Sequence, residues 1–232
     1  MDNSVRVLST LALKGAVARL AAAYQAASAV RIDADFAPTL ALLERLREGE
    51  AADLVILTRE GLDEMTGEGR IARDSAVDLA RSYVGVAVRA GAAHPDIGSE
   101  AALRAALLGA RAVAYSRLGA SGVLFAQLIA RLGIAEVINA RAVIIPVGFT
   151  AEKLVSGEAD LAIQQISELK QIDGIEIVGP IPSGLQTPAV FSAGRMVASE
   201  RASAADHLLR YLASADVAPV LRETGLESWL EP

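Results

Sequence analysis

The feature that most limits what this chain can fold into is a regular alternation of short apolar runs with longer helical patterns. Val5–Ser9, Ala29–Asp35 and Ala52–Thr58 read as strands, with helices Lys14–Ala27 and Thr39–Gly49 between them. A β-α-β-α-β order with short links predicts a parallel sheet covered by helices on both faces. A second set follows. Its strands are Tyr83–Arg89, Ala112–Ser116, Ala142–Pro146, Asp160–Gln165 and Ile175–Val178; its helices are Ser99–Leu108, Ser121–Leu132 and Thr150–Ser156. Beyond Pro180, Pro182 and Pro188 come one strand, Ala189–Ser192, and two helices, Ala202–Ser214 and Asp216–Gly225. That tail is too small to be a domain and is expected to return to the first sheet. The expected organisation is a discontinuous first domain, 1–80 plus 186–232, and an inserted second domain, 81–185. Two chain crossings would then form a hinge over an interdomain cleft.

The chain's 232 residues suffice for two α/β units, and 53% of them are hydrophobic. Aromatic residues are only 4%, which argues against a surface that stacks sugars or bases. The net charge is −6 and no basic run exceeds two residues, so nucleic acid is not an expected partner. An acidic chain can still hold an anion, through helix N-termini and a few placed hydroxyls or guanidinium groups. The absence of cysteine excludes disulfides, thiolate ligands and a thiol nucleophile. His94 and His207 are too far apart in sequence to suggest a metal site, and neither a metal nor a cofactor is expected. No apolar run approaches the roughly 20 residues of a membrane helix, so no membrane insertion is expected. No leader-like segment precedes Val5. The chain as written therefore reads as cytoplasmic, or as periplasmic if a leader has been removed.

In open α/β sheets, ligands lie beyond the carboxyl ends of the strands. Four segments fall there. Ser9-Thr10-Leu11-Ala12-Leu13-Lys14 offers hydroxyls and free N–H groups, although Ser9 and Thr10 would equally serve as helix caps. Thr39 opens the second helix, where capping and ligand donation use the same geometry. Ser116-Arg117-Leu118-Gly119-Ala120-Ser121-Gly122 is a small-residue turn leading into a helix. Its backbone can approach an anion, with Ser121 at the helix start and Arg117 able to grip a carboxylate. It lacks the Gly-Lys-Ser/Thr ending of a P-loop. Gln164-Gln165-Ile166-Ser167-Glu168 follows an apolar strand; alternation puts the two glutamines on opposite faces. Glu168 is either a base or a cap, and Arg81-Ser82 before the second domain would add donors.

The residues also carry a family resemblance. Gly49-Glu50-Ala51-Ala52-Asp53-Leu54-Val55 and Val155-Ser156-Gly157-Glu158-Ala159-Asp160 resemble segments of the periplasmic molybdate-binding proteins, which have the type II periplasmic binding fold. The resemblance spans nearly the whole chain. It implies a small anionic ligand, with an ABC transporter as partner only if the chain is exported. Several ligand positions depart from the family pattern. Ala12 stands where molybdate binders have a serine, Thr39 keeps a hydroxyl, Ser121 replaces an alanine, and Gln165 and Glu168 match a tyrosine and an aspartate. With Arg117 added, these changes favour a carboxylate over molybdate or another oxyanion. Gln164–Leu169, Gly179-Pro180-Ile181-Pro182 and Leu185-Gln186 resemble a branch that includes aconitate isomerase. The strand-end segments and the resemblance together give expected ligand-binding roles to Ser9, Thr10, Thr39, Ser82, Arg117, Ser121 and Gln165. If the chain is an isomerase needing no cofactor, Glu168 or Lys14 would be the base.

Overall fold

Apolar periodicity carries the first part of the chain through β1 (Ser4–Thr10), α1 (Lys14–Ser28), β2 (Arg31–Ala37), α2 (Thr39–Arg47), β3 (Leu54–Thr58), α3 (Arg59–Gly67) and β4 (Val77–Ser82). A second run holds β5 (Val84–Arg89), α4 (Glu100–Gly109), β6 (Val113–Ser116), α5 (Ala120–Arg131), α6 (Ala135–Asn139), β7 (Val143–Ile145), α7 (Glu152–Val155), β8 (Leu161–Gln165), α8 (Ile166–Leu169) and β9 (Ile175–Pro180). The chain ends through β10 (Ala189–Arg195), α9 (Ala202–Leu212), α10 (Ala218–Glu223) and β11 (Glu227–Ser228). This is a computed structural model, and it describes residues 3–230. The chain falls into two units. One runs up to Ser82 and resumes at Ala189; the other is Tyr83–Pro188.

The first unit is a six-stranded sheet in the order β11-β4-β10-β3-β1-β2. β1 pairs in parallel with β2 and β3. β10 is antiparallel to both β3 and β4, so the sheet is mixed, not wholly parallel as the sequence suggests. The reason is the route of entry. β10 enters the sheet where β4 leaves it, with Ala189 opposite Ser82, and no helical crossover brings it round to the other end. Strand β3 is buried along its whole length. Its Leu54 and Ile56 join Val5, Val7 and Phe191 in one core, and Val55 and Leu57 join Leu8 in another. Each face of the sheet is therefore sealed by its own helices.

The second unit is a five-stranded sheet, β7-β6-β8-β5-β9. β6 is parallel to β7 and β8, and β5 is antiparallel to β8 and β9. Its two faces differ in side-chain size. One carries Val84, Val86, Val113, Tyr115 and Ile163 against Leu103, Phe125 and Leu128. The other carries Ala87, Ala114 and Ala162 against Leu154 and Leu169 of the short helices α7 and α8. Small residues on that face let α8 lie close to β5. A Cβ on Gly85 would come within 2.8 Å of Ile166 Cγ1.

Several elements lie outside the sequence reading: α3, β4, α6, α8 and β11. In α3 only Gly61, Leu62 and Met65 are buried, so its apolar stripe is thin. In β4 the alternation is broken by Asp78, which pairs with Arg59 and accepts a hydrogen bond from Ser192, and by Arg81, whose guanidinium stacks on Trp229 4.4 Å from the ring centroid.

Candidate functional site

The strand registers set the carboxyl ends of β1, β2, β3 and β4 along one edge of the first sheet. There Thr10 stands opposite Ala37, and Ser82 opposite Ala189. Ser9 is buried and its hydroxyl donates to the Thr10 carbonyl at 3.1 Å. Thr10 is 3% exposed, and its hydroxyl has no hydrogen-bond partner. Ser82, at 1%, is in the same condition. A buried hydroxyl without a partner costs about 1–3 kcal/mol, so its presence at a strand end needs an explanation.

Helix openings along this edge are of two kinds. Thr58 caps α3, accepting a hydrogen bond from the Gly61 N–H at 3.3 Å. The 3-10 turn Leu11–Leu13 and helices α1 and α2 open without any side-chain cap. Thr39 is the first residue of α2, with Pro38 in the capping position, so it makes no cap bond. Their first N–H groups are thus not taken by a capping side chain. Lys14 opens α1 with an exposed side chain.

In the second unit, the carboxyl ends of β6 and β8 share an edge with the start of β5, where Val84 faces Gln165. Helix α5 opens at Ala120 after an uncapped Gly119; Ser121 is its second residue, 2% exposed. Gly122 makes this approach possible. A Cβ there would lie 1.4 Å from the Ser116 carbonyl oxygen. Ser116 braces the turn by accepting from the Leu118 N–H at 3.2 Å, and Arg117 stands exposed on it.

The paired glutamines at the end of β8 have different fates. Gln164 is fully engaged. Its Oε1 accepts from the Thr150 N–H at 2.7 Å and the Thr150 hydroxyl at 3.0 Å, and its Nε2 donates to the Gly148 carbonyl at 3.1 Å. It is a clamp holding the 148–150 loop to the strand. Gln165 is 2% exposed; its side chain faces the Glu168 backbone N–H in a capping box at the start of α8, and its Oε1 makes no close hydrogen bond. Ser167 is 1% exposed, with its hydroxyl also unpaired. Glu168 lies one residue on, 7% exposed, and its Oε2 accepts from the Gln165 N–H at 3.3 Å. Burial pushes its carboxyl up to about 8, against the opposing effect of hydrogen bonds from the Gln165 backbone and the Gln164 side chain. It carries a backbone cap and an ionisation poised near neutrality together.

Of the five buried side-chain atoms without a partner among the described residues, four are Thr10 Oγ1, Ser82 Oγ, Gln165 Oε1 and Ser167 Oγ. Three of these residues are in the sequence-derived site; Ser167 is not. Its only sequence signal is its place in the polar run after an apolar strand. Gln186 is structural: it exchanges hydrogen bonds with both backbone groups of Val84, at 2.8 and 3.1 Å. Both histidines are engaged elsewhere, His94 with Glu176 and His207 with Tyr24.

A model of the bacterial extracellular solute-binding proteins matches residues 5–227. The chain belongs to this family. As a solute-binding protein it is 37% identical, over 231 residues, to an aconitate isomerase from a Pseudomonas species, with 97% of this chain and 88% of that protein covered. Its fold matches the periplasmic molybdate-binding protein of Azotobacter vinelandii with a TM-score of 0.81, over 96% of this chain and 98% of that one, at 17% identity. It matches the sulfate-binding protein of Mycobacterium tuberculosis H37Rv with a TM-score of 0.79, over 99% and 88%, at 16% identity. At those identities the two solved structures show the fold alone. The molybdate-binding-like, type II periplasmic fold read from the sequence is the fold of this protein.

Proposed function

We propose that this solute-binding protein holds a small organic carboxylate. The observation that carries the reading is that each unit buries hydroxyl donors without a partner at its strand ends, Thr10 and Ser82 in the first and Ser167 in the second. They are neutral, as suits a site that holds an anion by hydrogen bonds instead of a buried counter-ion. Uncapped N–H groups at the Leu11–Leu13 turn, α2 and α5 supply further donors. Arg117, exposed beside the α5 turn, offers a planar fork that a carboxylate can meet bidentately. The test is a thermal-shift panel of molybdate, sulfate, citrate and both aconitates, since a ligand that binds the native state raises its apparent stability. Stabilisation by a carboxylate above the inorganic anions is the expected result; molybdate as the best stabiliser would overturn it.

A second reading, cofactor-independent isomerisation of an aconitate-like polycarboxylate, is favoured by the 37% identity and by the position of Glu168. In it Glu168 removes an allylic proton and returns it to the far carbon of the same allylic system. Direct assay of aconitate interconversion tests it. Stabilisation without turnover leaves the binding reading alone.

A further inference from the structure

The residues at the end of β8 imply more about the ligand than its charge. Glu168 is buried with no ion pair, and its carboxyl accepts from the Gln165 N–H and the Gln164 amide. The groups packed around it give it no counter-charge. α8 lies against β5, β8 and β9. The ionisable residues of those strands are Arg89 on β5 and Glu176 on β9, both at the far end of the sheet from Gln165. Lys170, just past α8, is exposed, and Tyr83, ahead of β5, is half-buried. No charged group contributes to the displaced ionisation of Glu168; burial dominates it. Glu168 and Gln165 share the capping box that opens α8, and the adjacent residue Ser167 carries a buried hydroxyl without a partner. A carboxylate ligand seated there meets Glu168 either as a hydrogen-bond donor or as a like charge.

We infer that Glu168 meets the bound anion as a neutral carboxylic acid that donates its proton into a hydrogen bond with the ligand, so that anion and proton are bound together. The inference rests on the carboxylate reading above. At acid and neutral pH the proton is already on Glu168 and binding draws none from solution. Above its ionisation, binding takes one proton from solvent onto the Glu168 carboxylate, restoring the O–H that the ligand accepts from. No bond to carbon is involved and no other reactant is needed.

Because only the protonated fraction binds, apparent affinity falls with that fraction. With the ionisation near 8, affinity is about tenfold weaker at pH 9 than at pH 7. The test is calorimetric titration of the full chain with trans-aconitate, and in parallel with sulfate, at both pH values and in buffers of different ionisation heat. The expected result is uptake of close to one proton per anion at pH 9 and little at pH 7. In Glu168→Gln, the ratio of affinities at the two pH values should fall to near one and the uptake should vanish. A pH-independent affinity in the native protein, or a slope that survives in Glu168→Gln, overturns the inference while leaving anion binding intact. Failure of both anions to bind overturns the proposed function instead. A ligand-free measurement keeps the inference testable in that case. The side-chain carboxyl 13C signal of Glu168, assigned by its loss in Glu168→Gln, should titrate well above the other glutamates. Titration below pH 5 would overturn it.

Discussion

At the residue scale, the polar run after β8 divides into structure and site. Gln164→Met removes the acceptor for Thr150 and the donor for Gly148, leaving buried groups unsatisfied. It is expected to cost about 2–4 kcal/mol in chemical denaturation. Gln165→Met removes only one half of the capping box on the short helix α8. It should change stability by no more than about 1 kcal/mol while weakening anion binding. Equal costs at the two positions would show that Gln165 is structural too. Glu168 adds a pH signature. Its folded-state ionisation lies above the ordinary 4.5, so the native state holds a proton that the unfolded chain releases. Its favourable contribution is therefore complete below pH 4.5 and lost as pH rises to about 8. Relative to Glu168→Gln, the native protein should lose on the order of a few kcal/mol across that window, followed by thermal unfolding at stepped pH. The doublet Gln164-Gln165 is legible in the sequence as a place where two faces receive one amide each. Which amide is satisfied is not, because that depends on the 148–150 loop arriving from elsewhere in the fold.

Among the elements, those with strong periodicity read easily. α1, α5 and β3 are legible because their buried positions recur at helical or continuous-strand spacing. α3 and β4 are not, because their polar positions are satisfied by partners distant in sequence, as Asp78 is by Ser192. The antiparallel direction of β10 is hidden for a similar reason: it follows from where the chain re-enters the sheet, which no local pattern records. The α5 turn offers the clearest test at this scale. Gly122 lies against the Ser116 carbonyl, where a methyl group has no room. Gly122→Ala should destabilise the protein by at least about 2 kcal/mol and displace the 116–121 turn. Denaturation with a midpoint equal to that of the native protein would show that the turn does not depend on this contact.

For the molecule as a whole, the family and fold were legible from segment order and from the segments at Gly49–Val55 and Val155–Asp160. Ligand chemistry is less so, since relatives of one fold include proteins named for molybdate and for sulfate and an aconitate isomerase. What separates them is a handful of loop residues. Arg117→Ala is expected to weaken carboxylate affinity about tenfold or more with little effect on unfolding, as suits an exposed side chain; unchanged affinity in a direct titration would remove Arg117 from the site. The central claim is that this protein binds a small organic carboxylate in preference to an inorganic oxyanion. The most direct measurement is the unfolding temperature of the full chain with saturating trans-aconitate, citrate, sulfate or molybdate at pH 7. A clear upward shift with a carboxylate and a smaller one with the inorganic anions is the predicted result; the largest shift with molybdate or sulfate, or none with any anion, would contradict it.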